Sequence, residues 1–146
     1  MTLPEHLQKH ELVTIDPLMS VHDAAMLMFS EGIGALIIME ENKLVGMLTE
    51  RDLMNKVVAK DKTASETFVQ QIMTTDLHTA NINTTLSEAL HLMGEHKIRH
   101  LPYIDENGKP LCMFSFRDLY EYRLKQLEHE NEALHTLAKL GISPSE

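Results

Sequence analysis

Two short segments carry a hydroxyl residue, an arginine and an aspartate at one spacing. Residues 46–52 read GMLTERD and residues 112–118 read CMFSFRD, so Thr49 and Ser115 each stand three places before an aspartate, Asp52 or Asp118, with Arg51 or Arg117 between them. Two chemistries suit this spacing. A threonine or serine at a helix start accepts a hydrogen bond from a free backbone N–H, and an acid in the first turn favours the positive end of the helix dipole. The same helix start offers N–H donors to an anion, while an ionised aspartate, which only accepts, can take both hydroxyls of a ribose. The first chemistry is a helix cap and the second a nucleotide site. Spacing alone leaves both open.

The elements that position these residues are also repeated. VHDAAMLM, residues 21–28, lies over LSEALHLM, residues 86–93, and both read as amphipathic helices. Residues 32–52 then lie over residues 97–118 with one extra residue in the second turn, so the halves are internal repeats. In each, a helix leads to a short apolar run, 35–39 or 101–104, then to a polar turn, EENK or DENGK, suited to a hairpin. A second strand ends at Thr49 or Ser115, where ERDLMNKVV and FRDLYEYRL resume helical spacing. The expected unit is β-α-β-β-α, which leaves one sheet face uncovered. Burying that face against its twin gives an α+β fold of two units packed sheet to sheet, neither stable alone. The expected divisions are a lead over 1–11 with about one helical turn, repeats over 12–58 and 69–122, a polar linker over 59–68, and a helical tail over 123–146.

The tail has no counterpart in the first repeat. Tyr120, Leu124, Leu127, Asn131, Leu134 and Ala138 are spaced alternately four and three, a heptad seam with Asn131 at a position that fixes register. Pairing with a second chain and packing back onto the same domain both fit this pattern.

Composition narrows the function classes. With 146 residues, 43% hydrophobic and 24% charged, the chain reads as a soluble globular protein. Its longest apolar run, 35–39, is far short of the roughly 20 residues needed to cross a bilayer, and no basic-then-apolar leader opens the sequence. We expect a cytoplasmic protein with no membrane partner. A net charge of -9 repels a phosphate backbone, so nucleic acid is not an expected partner either. Cys112 is the one cysteine and reads as a small buried hydrophobe. The nine histidines show no clean metal-ligand spacing, and no nucleophile elbow or phosphate-binding glycine loop is present. Neither a metal nor an enzyme activity is expected.

GMLTERD and EALHLMGEHKIRHLPYIDENGK together resemble the CBS domain, and over roughly residues 12–120 the chain is similar to a stand-alone tandem pair, a Bateman module. That resemblance implies pseudo-twofold symmetry, two clefts between the repeats, and adenosyl ligands such as AMP, ADP, ATP, NAD or S-adenosylmethionine that are sensed rather than used as catalytic cofactors. It also implies a homodimer and a regulated partner protein. Carried onto this sequence, Asp52 would hold ribose hydroxyls, with Thr49 and Arg51 near the phosphate end. Leu77, His78 and Pro102 would flank the adenine, and Arg99 and His100 would meet phosphate. The matching second site is Ser115, Arg117 and Asp118 against Val13, Thr14, Ala35 and Leu36. Cys112 departs from the family's glycine, and GALI offers no cation where the other repeat has RHLP, so the Asp52 cleft is expected to bind better. The alternative is a structural pairing module that binds no ligand, its hydroxyl and aspartate pairs serving only as caps.

Overall fold

The computed structural model of the chain describes Leu3 and residues 12–141. Apart from Leu3, the N-terminal lead and its expected helical turn lie outside the described residues.

Each repeat contains a capped helix ahead of its hairpin. In α1, Val21–Glu31, the Ser20 hydroxyl accepts from the Asp23 N–H at 3.1 Å. In α3, Leu86–His96, Thr85 and Glu88 form a reciprocal capping box. Both helices end in a left-handed residue, Gly32 at φ 65° and Lys97 at φ 54°. Glycine adopts that conformation without cost, whereas lysine is strained there.

Hairpins follow. Strands β2, Ala35–Glu40, and β3, Lys43–Thr49, pair antiparallel around Glu41 and Asn42, both at positive φ. Strands β4, His100–Ile104, and β5, Pro110–Ser115, pair around a turn in which Asp105 Oδ1 accepts from the Asn107 and Lys109 N–H groups. A short strand β1, Thr14–Ile15, adds parallel to β2, but its counterpart in the second repeat is reduced to one bridge between Ala80 and Tyr103. Pro102 accounts for that shortening. It occupies the place of Ile37, whose N–H donates to the Val13 carbonyl at 3.2 Å, and proline has no such hydrogen to give.

Alternation along the strands sorts side chains into two kinds of core. Leu36, Ile38 and Leu48 are fully buried against α1, as Leu101, Tyr103 and Phe114 are buried in the core with α3. Each of the larger aliphatic side chains contributes about 1.5–3 kcal/mol by leaving water. Ala35, Ile37 and Met47 face the other way, packing with Leu77 and Met113 between the sheets. The architecture is therefore α+β, two related units joined sheet to sheet. After β3, helix α2, Glu50–Leu53, widens into a π-helical turn, Met54–Val58. After β5, helix α4 runs regularly over Phe116–Lys139. Between the repeats, Thr74 pairs with Met47 through two backbone hydrogen bonds of 3.0 and 2.9 Å, laying the connecting chain along the edge of β3.

Candidate functional site: two clefts between the repeats

The end of β3 and start of α2 meet the α3–β4 junction of the other repeat. Thr49, Arg51, Asp52, Met47, Thr74, Lys97, Arg99 and His100 line a cavity of about 400 Å³ there, within the usual size range for small-molecule sites. By the same symmetry, Ser115 and Asp118 face residues 32–35. That second cavity, about 330 Å³, is walled by Leu12, Val13, Ile33, Ile37 and Met113 together with Gly32, Gly34, Ala35 and His100. Both clefts are built by both halves.

In the first cleft the aspartate is occupied. Asp52 is only 6% exposed. Its Oδ2 accepts from the Thr49 N–H at 2.9 Å and from the Thr49 hydroxyl at 3.1 Å, while its own N–H donates to Thr49 Oγ1 at 3.2 Å. Oδ1 accepts from the Thr74 hydroxyl at 3.0 Å and pairs with Lys56 Nζ at 3.0 Å. Lys56, in the π-helical turn, also donates to the Ile72 carbonyl at 3.0 Å. A carboxylate has about four acceptor sites, and protein groups fill them here. Arg51 reaches across the cleft, donating from Nη1 to the Lys97 carbonyl at 2.7 Å.

In the second cleft the aspartate is unoccupied. Ser115 Oγ accepts from the Asp118 N–H at 3.1 Å, so the helix is capped, but among the described residues nothing donates to the half-buried Asp118 carboxylate. The residue matching Lys56 is Tyr122, which packs toward the α3 core. Among the described residues no threonine matches Thr74 there. Arg117 lies outside this cavity, exposed and paired with Glu121 at 3.1 Å.

The clefts also differ in charge. Lys97, Arg99 and His100 stand in the first where Gly32, Gly34 and Ala35 stand in the second, so among the described residues the second wall holds no lysine or arginine. His100 borders both. A Cβ built at Gly34 would meet Glu50 Oε1 at 3.0 Å and His100 Nε2 at 3.3 Å, so glycine leaves room for these two side chains at the divide. Burial pushes the His100 pKa below its ordinary value; Glu50 raises it, Arg99 lowers it and Asp118 raises it, in falling order of effect.

Of the residues singled out in sequence, Thr49, Arg51, Asp52, Arg99 and His100 converge on the first cleft, and Val13, Ala35, Ser115 and Asp118 on the second. The others sit elsewhere. Leu77 packs in the inter-sheet core, Pro102 is fully buried in β4, and His78 stacks on His96 with ring centroids 3.7 Å apart. Leu36 points to the helix side of its sheet, and Thr14 is exposed on β1. Alternation separates Leu36 from Ala35. The residues that sequence reading missed include Lys56, four places after Asp52 and therefore within helical reach, and Lys97, the counterpart of a capping glycine.

Cys112 does not weaken the second cleft. Its side chain is fully buried on the helix side, with Tyr103 and Phe114, while its neighbours Met113 and Ser115 face the cavity. Burial pushes its thiol pKa up to about 11, which suits an inert core residue. Gly46 answers a different need: a Cβ there would meet Met73 Sδ at 2.6 Å and the Thr74 carbonyl oxygen at 3.2 Å. It admits the connecting chain.

A family model of the CBS domain matches residues 5–59 and 69–125. The CBS domain-containing protein YhcV of Bacillus subtilis is 36% identical over 98 residues, covering 67% of this chain and 69% of that protein. The solved structure of a protein with CBS domains from Burkholderia ambifaria superposes with a TM-score of 0.79 at 32% identity, covering 86% of this chain and 95% of that one. The CBS domain pair of protein MJ0100, solved in complex with 5'-methylthioadenosine and S-adenosyl-L-methionine, has a TM-score of 0.74 over 84% of this chain and 95% of that one. At 22% identity, this last likeness concerns the fold alone. Among the described residues no helix is long and apolar enough to cross a membrane.

Proposed function

The chain belongs to the CBS-domain family as a tandem pair, and on that premise we propose that it is a regulatory module that binds an adenosyl ligand between its repeats. The observation that carries this reading is the Asp118 carboxylate, half-buried in a cavity formed by both halves and left without a donor among the described residues. A ribose diol supplies two donors to such a carboxylate, and the apolar wall of Val13, Ile33, Ile37 and Met113 suits a purine face. We therefore rank the Asp118 cleft first for the ribose, reversing the order the sequence suggests. With no lysine or arginine among the described residues of its wall, this cleft favours adenosine-like ligands with an uncharged or cationic 5' substituent, such as S-adenosylmethionine.

The Asp52 cleft, with Arg51, Lys97 and Arg99, suits the phosphates of AMP, ADP, ATP or NAD. For Asp52 to take a ribose it must first release Thr74 or Lys56. A ligand held by Asp118 of one repeat and residues 32–35 of the other shifts their packing only to the extent that it binds two arrangements unequally. Such a shift would signal to a regulated partner protein.

A second reading has its own support. Thr49 and Ser115 both cap helices without any ligand, so the motif already has a structural job. Calorimetric titration of the full chain with adenosine, S-adenosylmethionine, AMP, ATP and NAD separates the two. We expect S-adenosylmethionine or adenosine to bind one site per chain and Asp118→Ala to lower that affinity about tenfold or more. Absence of binding heat and of thermal stabilisation with all five compounds would leave the ligand-free pairing module standing.

A further inference from the structure

We infer that α4 pairs with α4 of a second copy of this chain as a parallel two-stranded coiled coil. The helix uses one face for its own domain and leaves the opposite face open. Leu119 is fully buried, Tyr122 packs on the α3 core with Leu3, and Gln126 is half-buried. These residues recur at three and four places and mark the back of the helix. On the front, Tyr120, Leu124, Leu127 and Leu134 are 50%, 41%, 43% and 48% exposed. That is the heptad seam. Packing within the chain has therefore taken the other side of the helix.

Beyond Gln126 the helix has little support of its own. All positions from Leu127 to Lys139 are exposed except the half-buried Leu137. The projecting stretch from Leu127 to Lys139 spans about 20 Å at 1.5 Å per residue, and isolated helices of such length are marginal in water.

Charge selects the occupant and its direction. Taking Leu124, Asn131 and Ala138 as one set of core positions and Tyr120, Leu127 and Leu134 as the other, the flanking positions are Arg123, Glu130 and Leu137 on one side, and Glu121, Glu128 and His135 on the other. A parallel pair sets Arg123 against the partner's Glu128, and Glu130 against the partner's His135, each twice by symmetry. An antiparallel pair on the same layers would oppose Glu128 to the partner's Glu128 and Glu130 to the partner's Glu130. Among the described residues, Arg123, Glu128 and Glu130 have no ion pair within the chain, so they are available for this role. Asn131, on the axis, meets its own copy in the parallel register, an arrangement that specifies two strands.

Charge exchange in the full-length chain tests the pairing without cutting the helix. Sedimentation equilibrium should show Arg123→Glu and Glu128→Arg each weakening self-association about three- to tenfold, and the double variant restoring it. An equimolar mixture of the two single variants should form heterodimers, because both pairs between positions 123 and 128 are then of opposite charge. Ala138→Cys should give a disulfide-linked dimer on mild oxidation, since the native cysteine is fully buried. A monomeric wild-type chain, single variants that associate as wild type, or failure of both the double variant to recover and Ala138→Cys to cross-link would overturn the proposal.

Discussion

Asp52 and Asp118 hold the same place in two copies of one motif, yet the first is absorbed into the fold and the second meets no donor among the described residues. Both follow a capping hydroxyl, and both begin a helix after the second hairpin strand. The difference comes from outside the motif. Lys56 and Thr74 close on Asp52, whereas Tyr122 stands in place of the lysine in the second repeat and no described residue takes the part of Thr74 beside Asp118. A repeated motif thus carries its geometry from copy to copy, but its chemistry depends on neighbours that need not repeat. The same holds across each cleft, where Lys97 and Arg99 replace Gly32 and Gly34.

The largest test of this contrast exchanges the phenotypes of the two aspartates. Asp52→Ala removes half of a capping box and leaves Thr74 and Lys56 without their acceptor, and should cost about 2–4 kcal/mol of stability. Asp118→Ala should cost less than about 1 kcal/mol, because its carboxylate satisfies no described donor. Urea denaturation of both variants measures the gap, and equal losses would erase the distinction drawn between the copies. Conversely, Lys56→Met combined with Thr74→Val should release Asp52 and add a second adenosyl site, read as a rise in calorimetric stoichiometry.

The next test moves to the position just before the motif. Gly46→Ala should destabilise by about 1–3 kcal/mol, because the added methyl overpacks against Met73 and the Thr74 backbone. Cys112→Gly should cost a similar amount for the opposite reason, a void in a core where the side chain is fully buried, together with glycine's entropy. Neither should change ligand affinity, since neither side chain faces a cleft. A tenfold affinity loss in Cys112→Gly would restore that position to the site.

These contrasts mark what the sequence made legible. The repeat, the alternation in its strands and the capping hydroxyls follow from local spacing, and the structure contains them. Local spacing could not show that Pro102 shortens the strand pairing beside it, because that depends on which backbone donor the neighbouring strand lacks. Nor could it show that Thr74 reaches Asp52 across 22 positions. That Arg99 and His100 line the first cleft was legible through the family resemblance, which did not show that His100 borders the second as well. Whether Asp118 had spare acceptors was not, because a missing partner leaves no mark in sequence.

A smaller effect separates the two helix ends beside the clefts. Lys97→Gly should stabilise the protein by about 0.5–1 kcal/mol by relieving a left-handed lysine, and Gly32→Ala should destabilise by about 1 kcal/mol. If Lys97 is retained for phosphate despite this strain, Lys97→Gly should also weaken ATP binding while leaving adenosine unchanged. Gain of stability without loss of ATP would confine Lys97 to a structural accident of the helix end.

The smallest expected effect lies at the residue the clefts share. His100 faces Glu50 from α2 and Asp118 from α4, with Arg99 beside it on its own strand, and its burial holds its pKa below the ordinary 6.5. In the unfolded chain the imidazole takes its proton first as pH falls, so the unfolded state binds more protons than the folded one. Stability should accordingly decline from about pH 6.5 downward, levelling off once the folded imidazole is also protonated. His100→Gln removes this contribution, and urea midpoints measured between neutral and mildly acidic pH should fall less steeply than in the native chain. A ligand that occupies the Asp118 cleft and further excludes water from His100 should steepen the decline, because it deepens the burial that lowers the pKa. The same slope with and without His100 would place the acid sensitivity elsewhere and leave the histidine as a neutral wall between two clefts.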